Sequence, residues 1–313
     1  MHIPDGFVSG TINSATAAIS AVTLVLSVAR VKQECTDKRF AVPLLATIAA
    51  FVFAAQMLNF PVAGGTSGHL IGGVLTAALL GPSAAVIVIT AVLILQCFAY
   101  ADGGVTALGA NVFNMALIGG VGGWALYHLL TRLFKGLFGR ILAASFAAWV
   151  STVLAAIACA GELAASHKAA WSLAFPTMAG IHMLIGIGEG VITALVLAAI
   201  ARARPELVLD DPAAPAPKPY FALTIYGLLL ALGLVLFVAP NASKFPDGLE
   251  KASAMLGIAS QPAALTPPMP EYAIPFVNNP ALSIGLAGAI GTVVVFAISW
   301  LLARTLVSRK NTP

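Results

Sequence analysis

The chain has 313 residues, 59% of them hydrophobic and only 9% charged, with a net charge of +4. That composition excludes an ordinary soluble domain and points to an all-α polytopic membrane protein, whose spanning unit is a window of about 20 apolar residues. The small positive excess lies in short loops between apolar stretches and gives no reason to expect a nucleic-acid partner.

The chain opens Met1-His2-Ile3-Pro4-Asp5-Gly6. No basic n-region or cleavable signal precedes the first apolar stretch, so the translated terminus is expected to be the mature one, with a free α-amine. That amine, the next amide nitrogen and the Nδ1 of His2 can close two small chelate rings on one metal ion. A fourth nitrogen would complete a planar set that suits Ni(II) or Cu(II) and accepts Co(II). His69 is the best fourth donor. The opposing reading is a histidine on a frayed chain end. Pro4 and the turn dipeptide Asp5-Gly6 favour a terminus that folds back.

Nine spans are expected, at about 11–29, 40–58, 69–80, 83–100, 110–131, 140–160, 178–201, 220–239 and 282–303. The third is short and is broken by Gly81-Pro82. The second carries Ala46, Ala50 and Ala54 on one helical face, a ridge suited to packing inside the bundle or to docking a separate membrane subunit. The loop Asn59 to His69 is too rich in Gly and Pro for a helix. In it, Thr66 and Ser67 can orient an imidazole or cap the next helix. The polar loop at Tyr100 to Gly104, with Asn111 and Asn114, can cover the His69 loop or simply supply turn and cap residues. His182 and Glu189 share a face of the seventh span and form either a functional intramembrane pair or a structural hydrogen-bond network. His128 and His167 receive no role.

Thirteen of the 16 Lys and Arg residues fall on one side of the nine-span arrangement, including Arg30, Arg132, Lys135, Arg140 and Arg202. Loops rich in such residues stay cytoplasmic, so the N-terminus is expected outside and the C-terminus inside. Cys35, Cys97 and Cys159 show no paired spacing, which argues against a disulfide framework or a thiolate metal site. Residues 204–219, rich in Pro and Ala, read as a cytoplasmic linker between a unit at 1–203 and a two-span accessory unit at 220–305.

Four motifs in order, Met1 to Gly6, Gly65-Thr66-Ser67-Gly68-His69-Leu70, Asp102-Gly103-Gly104 with Leu108-Gly109-Ala110-Asn111, and Ile185-Gly186-Ile187-Gly188-Glu189, resemble the CbiM/NikM family. These are substrate-specific components of energy-coupling-factor (ECF) transporters for cobalt and nickel. The stretch Pro246-Asp247-Gly248-Leu249-Glu250 resembles the PDGLE, or CbiN/NikN-like, module. The resemblance implies a seven-helix component with a fused two-helix module in the cell membrane. It implies Ni2+ or Co2+ as the transported substrate, bound through Met1, His2 and His69, with cobalt serving cobalamin supply and no organic cofactor involved. Asp5, Thr66, Ser67 and Asn111 are candidate supports around the ligands, and Ala46, Ala50 and Ala54 the candidate docking face. The implied partners are a transmembrane coupling subunit of the EcfT (CbiQ/NikQ-like) kind and ATPases of the EcfA (CbiO/NikO-like) kind. The chain itself contains no phosphate-binding Gly-x-x-x-x-Gly-Lys loop, so it is expected to be no enzyme.

Two other classes compete. Gly65-Thr66-Ser67-Gly68 with His182 superficially resembles an intramembrane serine protease. A free-standing channel or carrier would transport metal with no ATPase. Between the metals, a rigid all-nitrogen plane and the fused tail lean towards nickel.

Overall fold

The computed structural model describes residues 2–34, 42–209, 220–259 and 261–306. Met1, Cys35, Lys38, Arg39, Lys218, Arg309, Lys310 and most of the expected linker lie outside the described residues. The chain is helical almost throughout: α1 (Gly10–Glu34), α2 (Val42–Gln56), α3 (Gly73–Leu80), α4 (Pro82–Tyr100), α5 (Leu108–Val112), α6 (Gly123–Leu133), α7 (Gly136–Ala165), α8 (Trp171–Ala203), α9 (Phe221–Gly233), α10 (Gly248–Leu256) and α11 (Pro280–Leu306). A ten-residue π-helical stretch, Phe113–Gly122, joins α5 to α6.

Among the described residues, seven helical stretches are long and apolar enough to cross a membrane. The expected count of nine is therefore not reproduced. The second expected span appears as α2, 15 residues long. The third is α3, only eight residues, ended where Gly81 adopts a positive φ of 87° and Pro82 opens α4. Pro at the first helical position costs nothing there, because its missing N–H would have had no partner.

The expected Gly-rich loop is a small hairpin. Strands β1 (Phe60–Val62) and β2 (Thr66–Gly68) pair antiparallel, with Phe60 opposite Gly68 and Val62 opposite Thr66. The three-residue turn between them contains Gly64 and Gly65 at φ 84° and 67°, a left-handed conformation that glycine adopts without steric cost. The hairpin delivers His69 to the bundle.

Helices α7 and α8 form a hairpin joined by five residues. Its close approach follows from small residues on the buried face of α7, including Ala144, Ala147, Ala148 and Ser151, and from Gly186 and Gly190 on α8. A Cβ at Gly190 would lie 2.7 Å from the Ser145 carbonyl oxygen. Helix α2 packs on α11 and α9 as well as on α4. Ala46, Ala50 and Ala54 are wholly buried inside the chain, so their placement supports packing within the bundle rather than an exposed docking face.

The segment after His69 is held from beneath. Both carboxylate oxygens of buried Glu189 on α8 accept backbone hydrogen bonds, from Ile71 N at 2.6 Å and Gly72 N at 2.9 Å. Glu189 thus anchors the turn between His69 and α3. Glu189→Ala would leave two buried N–H groups without acceptors and is expected to cost about 2–6 kcal/mol, at roughly 1–3 for each orphaned group. Glu189→Gln, which keeps one acceptor, should lose distinctly less. Thermal unfolding in detergent checks this order, and equal melting temperatures for native protein and Glu189→Ala would contradict it.

Candidate metal centre

The N-terminal segment folds back into the bundle. Asn111 grips Ile3 at both backbone polar groups: Ile3 N donates to Asn111 Oδ1 at 2.7 Å, and Asn111 Nδ2 donates to Ile3 O at 3.1 Å. Gly104 N adds a third bond to Ile3 O, 2.8 Å. Asp5 accepts from Thr106 N and Thr106 Oγ1 through one oxygen and from Ala264 N through the other. Burial works against the charge of Asp5, but these hydrogen bonds hold its carboxyl below the usual carboxylate range.

His2 is thereby buried, 8% exposed, and its ring stacks on that of His69, which is 6% exposed. The ring centroids lie 5.0 Å apart and the planes differ by 18°. His69 Nδ1 meets the Leu70 carbonyl at 3.1 Å. That contact fixes a proton on Nδ1 and places the lone pair on Nε2. Burial, aided by the nearby His2 charge, pushes the His69 imidazole down to about 3, so it stays neutral at physiological pH. His2 Nδ1 lies 3.0 Å from Asp102 Oδ1, and His2 Nε2 lies 3.1 Å from Gln96 Oε1. Asp102 also accepts from the Tyr272 hydroxyl at 2.6 Å. Although burial alone would raise it, His2 and Tyr272 hold the Asp102 carboxyl well below its usual range.

The C-terminal module reaches over this pair. Ser67 N and Thr66 Oγ1 donate to the Pro246 carbonyl at 2.8 and 3.0 Å, and Ser67 Oγ donates to the Phe245 carbonyl at 2.8 Å. Thr66 and Ser67 therefore fasten the tail; neither caps α3, whose N-cap is Gly72. Asp247 caps α10 in a reciprocal box, accepting from Glu250 N at 2.8 Å while Glu250 Oε2 accepts from Asp247 N at 2.9 Å. Asp247 Oδ2 stands 4.0 Å from His69 Nε2, a charge beside the ring and too long for a hydrogen bond. A cavity of about 430 Å³ opens beside His2 and is lined by Asp102, Asp247 and Glu250, so its mouth is acidic. Such a mouth concentrates cations.

His182 and Glu189 are both buried, but they have separate partners. His182 Nδ1 meets the Met178 carbonyl at 2.8 Å, whereas Glu189 binds the turn after His69. His182 instead forms the floor under the tail: a Cβ at Gly248 would sit 2.7 Å from its Nε2, so only glycine allows this approach. The serine-protease reading fails on the same geometry, since the Ser67 hydroxyl is committed to Phe245 and Pro246 and makes no bond to His182. Sequence reasoning missed Asp247, Gln96 and Tyr272 as neighbours of the imidazoles. The first was legible as an Asp with Glu three residues on, a capping-box signature. Gln96 was legible as a buried amide in an otherwise apolar helix.

Comparison with known proteins agrees with this architecture. A family model described as "cobalt uptake substrate-specific transmembrane region" (CbiM) matches residues 2–207, and one described as "PDGLE domain" matches residues 221–308. The chain is 37% identical to an Archaeoglobus fulgidus relative named as a fused nickel transport protein, over 97% of this chain and 98% of the relative. It is 32% identical to the fused nickel transport protein of Rhodobacter capsulatus, over 95% of each. A Methanococcus voltae relative named as a cobalt transport protein is 30% identical over 66% of this chain and 94% of its own length. A crystal structure described as a truncated transition metal transporter superposes with a TM-score of 0.58 at 34% identity, covering 65% of this chain and 99% of that one. The chain belongs to the CbiM family of nickel and cobalt transport proteins, and it carries a PDGLE domain behind the CbiM region.

Proposed function

We propose that this chain is the ion-capturing membrane component of an ATP-driven ECF-type importer, and that its substrate is Ni2+, with Co2+ as the alternative. The observation that carries this reading is the pair of stacked, buried imidazoles of His2 and His69 under an acidic mouth. The ligands are the Met1 amine, the His2 amide and imidazole, and His69 Nε2. On capture, His2 Nδ1 exchanges Asp102 for the ion, and Asp102 keeps its bond from Tyr272. Asn111 and Asp5 act by holding the backbone on which His2 rides. The tail, residues 220–305 beyond a linker at 204–219, closes the site through Phe245 to Asp247.

Nickel is favoured because relatives matching nearly the whole chain are named as nickel transport proteins, while cobalt-named relatives match about two-thirds of it. The all-nitrogen plane would take Cu(II) at least as strongly, so copper is excluded by availability or redox state. ATP hydrolysis belongs to EcfA-type partners, joined through an EcfT-type coupling subunit. The His2 end faces outward and the chain's C-terminus inward, as the distribution of Lys and Arg requires.

Equilibrium titration of the purified full chain with Ni(II) and Co(II) tests the ligand set. His2→Ala and His69→Ala should each weaken Ni(II) binding by more than roughly 100-fold, beyond the 10–100-fold typical of changes around a site. Retained affinity in either variant would remove that residue from the set. Affinity should also fall between pH 7 and pH 5, because the amine, amide and His2 imidazole must lose protons to bind. An affinity that does not change over that interval would count against the chelate. A separate effect concerns the metal-free fold. Unfolded His69 takes a proton below its ordinary value of 6.5, whereas the folded residue resists protonation down to about 3. The metal-free protein should therefore lose stability as pH falls from 6.5 towards 3, seen as a lower melting temperature at pH 5 than at pH 7.

A further inference from the structure

His182 lies inside α8 and is 1% exposed. Its Nδ1 meets the Met178 carbonyl at 2.8 Å, which fixes a proton on that nitrogen and leaves the lone pair on Nε2. Among the described residues no hydrogen bond reaches Nε2, although the atom is buried. A buried acceptor without a donor is costly, and ionisable residues inside spanning helices mark ion pathways.

A small hollow adjoins this nitrogen. It lies between His69, Thr152, His182 and Gly248, with Ile71 and Ile185 at its sides. Its volume of about 10 Å³ admits one water-sized body, too little for a hydrated ion. A Cβ at Gly248 would stand 2.7 Å from His182 Nε2 and 2.6 Å from Ile185 Cδ1, so the hollow exists because that residue is glycine. Thr152 Oγ1 donates to the Ala148 carbonyl at 2.9 Å and keeps its lone pairs. Among the described residues no carboxylate lines the hollow. Two imidazoles and a hydroxyl suit divalent transition metals, whereas Mg(II) and Ca(II) take shells of oxygen. Negative charge stands just outside, with Asp247 Oδ2 4.0 Å from His69 Nε2 and Glu189 on the backbone N–H of Ile71.

We propose that His182 Nε2 and His69 Nε2 form a second position for a dehydrated divalent transition-metal ion, beside the N-terminal chelate. The proposal rests on the reading of this chain as a nickel or cobalt importer and extends it. His69 belongs to both positions and serves one at a time, so an ion moves between them without leaving that imidazole. The acidic mouth draws in cations of every kind. The imidazole pair then admits those that accept nitrogen.

Equilibrium titration of the purified full chain with Ni(II), in a variant whose chelate is disabled by His2→Ala, isolates the second position. That variant should keep a weaker Ni(II) site. Adding either His182→Ala or Gly248→Ala should weaken the remaining site further, by at least roughly tenfold, the lower end for changes around a metal. Gly248→Ala fills the hollow and leaves His182 in place, which separates a lost ligand from a damaged helix. Nickel-edge X-ray absorption of the loaded His2→Ala protein should show two imidazole rings, and a large excess of Mg(II) should not displace the nickel. A single ring, displacement by Mg(II), residual affinity unchanged by either added substitution, or no Ni(II) binding left in His2→Ala would overturn the proposal. Native affinity in His2→Ala would instead overturn the N-terminal chelate, and the His182→Ala and Gly248→Ala comparisons would still decide the second position.

Discussion

The backbone at the start of the described chain is fixed by one side chain, that of Asn111. One amide pairs with both the N–H and the C=O of Ile3, and Gly104 N takes a further place on that carbonyl. Without the clamp, the first residues would fray as termini generally do. With it, His2 is carried into the bundle and laid flat against His69. His69 needs its own support, which Glu189 provides by binding the turn at Ile71 and Gly72. Two buried polar anchors from different helices thus position two imidazoles from distant parts of the sequence.

The PDGLE stretch gains a physical meaning from the same geometry. Asp247 and Glu250 form a capping box that starts α10, and Gly248 is the residue that lets this helix settle against His182. The carbonyls just before it, of Phe245 and Pro246, accept from Ser67 and Thr66 next to His69. A second segment of the tail brings the Tyr272 hydroxyl to Asp102 and stacks its ring on Tyr100. The accessory module is therefore joined to the site by several directional bonds, and Asp247 adds a negative charge beside His69. Such a charge favours a cation over a neutral solute at that spot.

Much of this was legible in the sequence. Apolar windows gave the helical membrane class, and Met1-His2 with His69 pointed to nitrogen ligands whose two described members do meet. Asn111 was marked as a supporting residue, and in the structure its side chain pairs with the Ile3 backbone next to His2. Other features depended on the third dimension. The hairpin at 60–68 was hidden because its strands are three residues each and glycine dominates the turn between them. The Ala46, Ala50 and Ala54 ridge could serve internal packing or docking, because periodicity cannot tell which helix fills a small-residue face; in the structure it lies inside the chain. His182 and Glu189 shared a face by spacing, yet spacing could not show that each is taken by a different backbone segment. The tail's proximity to His69 joins residues about 180 positions apart and left no local trace.

X-ray absorption at the nickel edge of the loaded full-length protein bears most directly on the central claim, that the metal is held by a nitrogen plane completed by two imidazoles. The account predicts a four-coordinate shell of nitrogen with outer scattering from two imidazole rings. A six-coordinate, oxygen-rich shell, or one with scattering from a single ring, would contradict it.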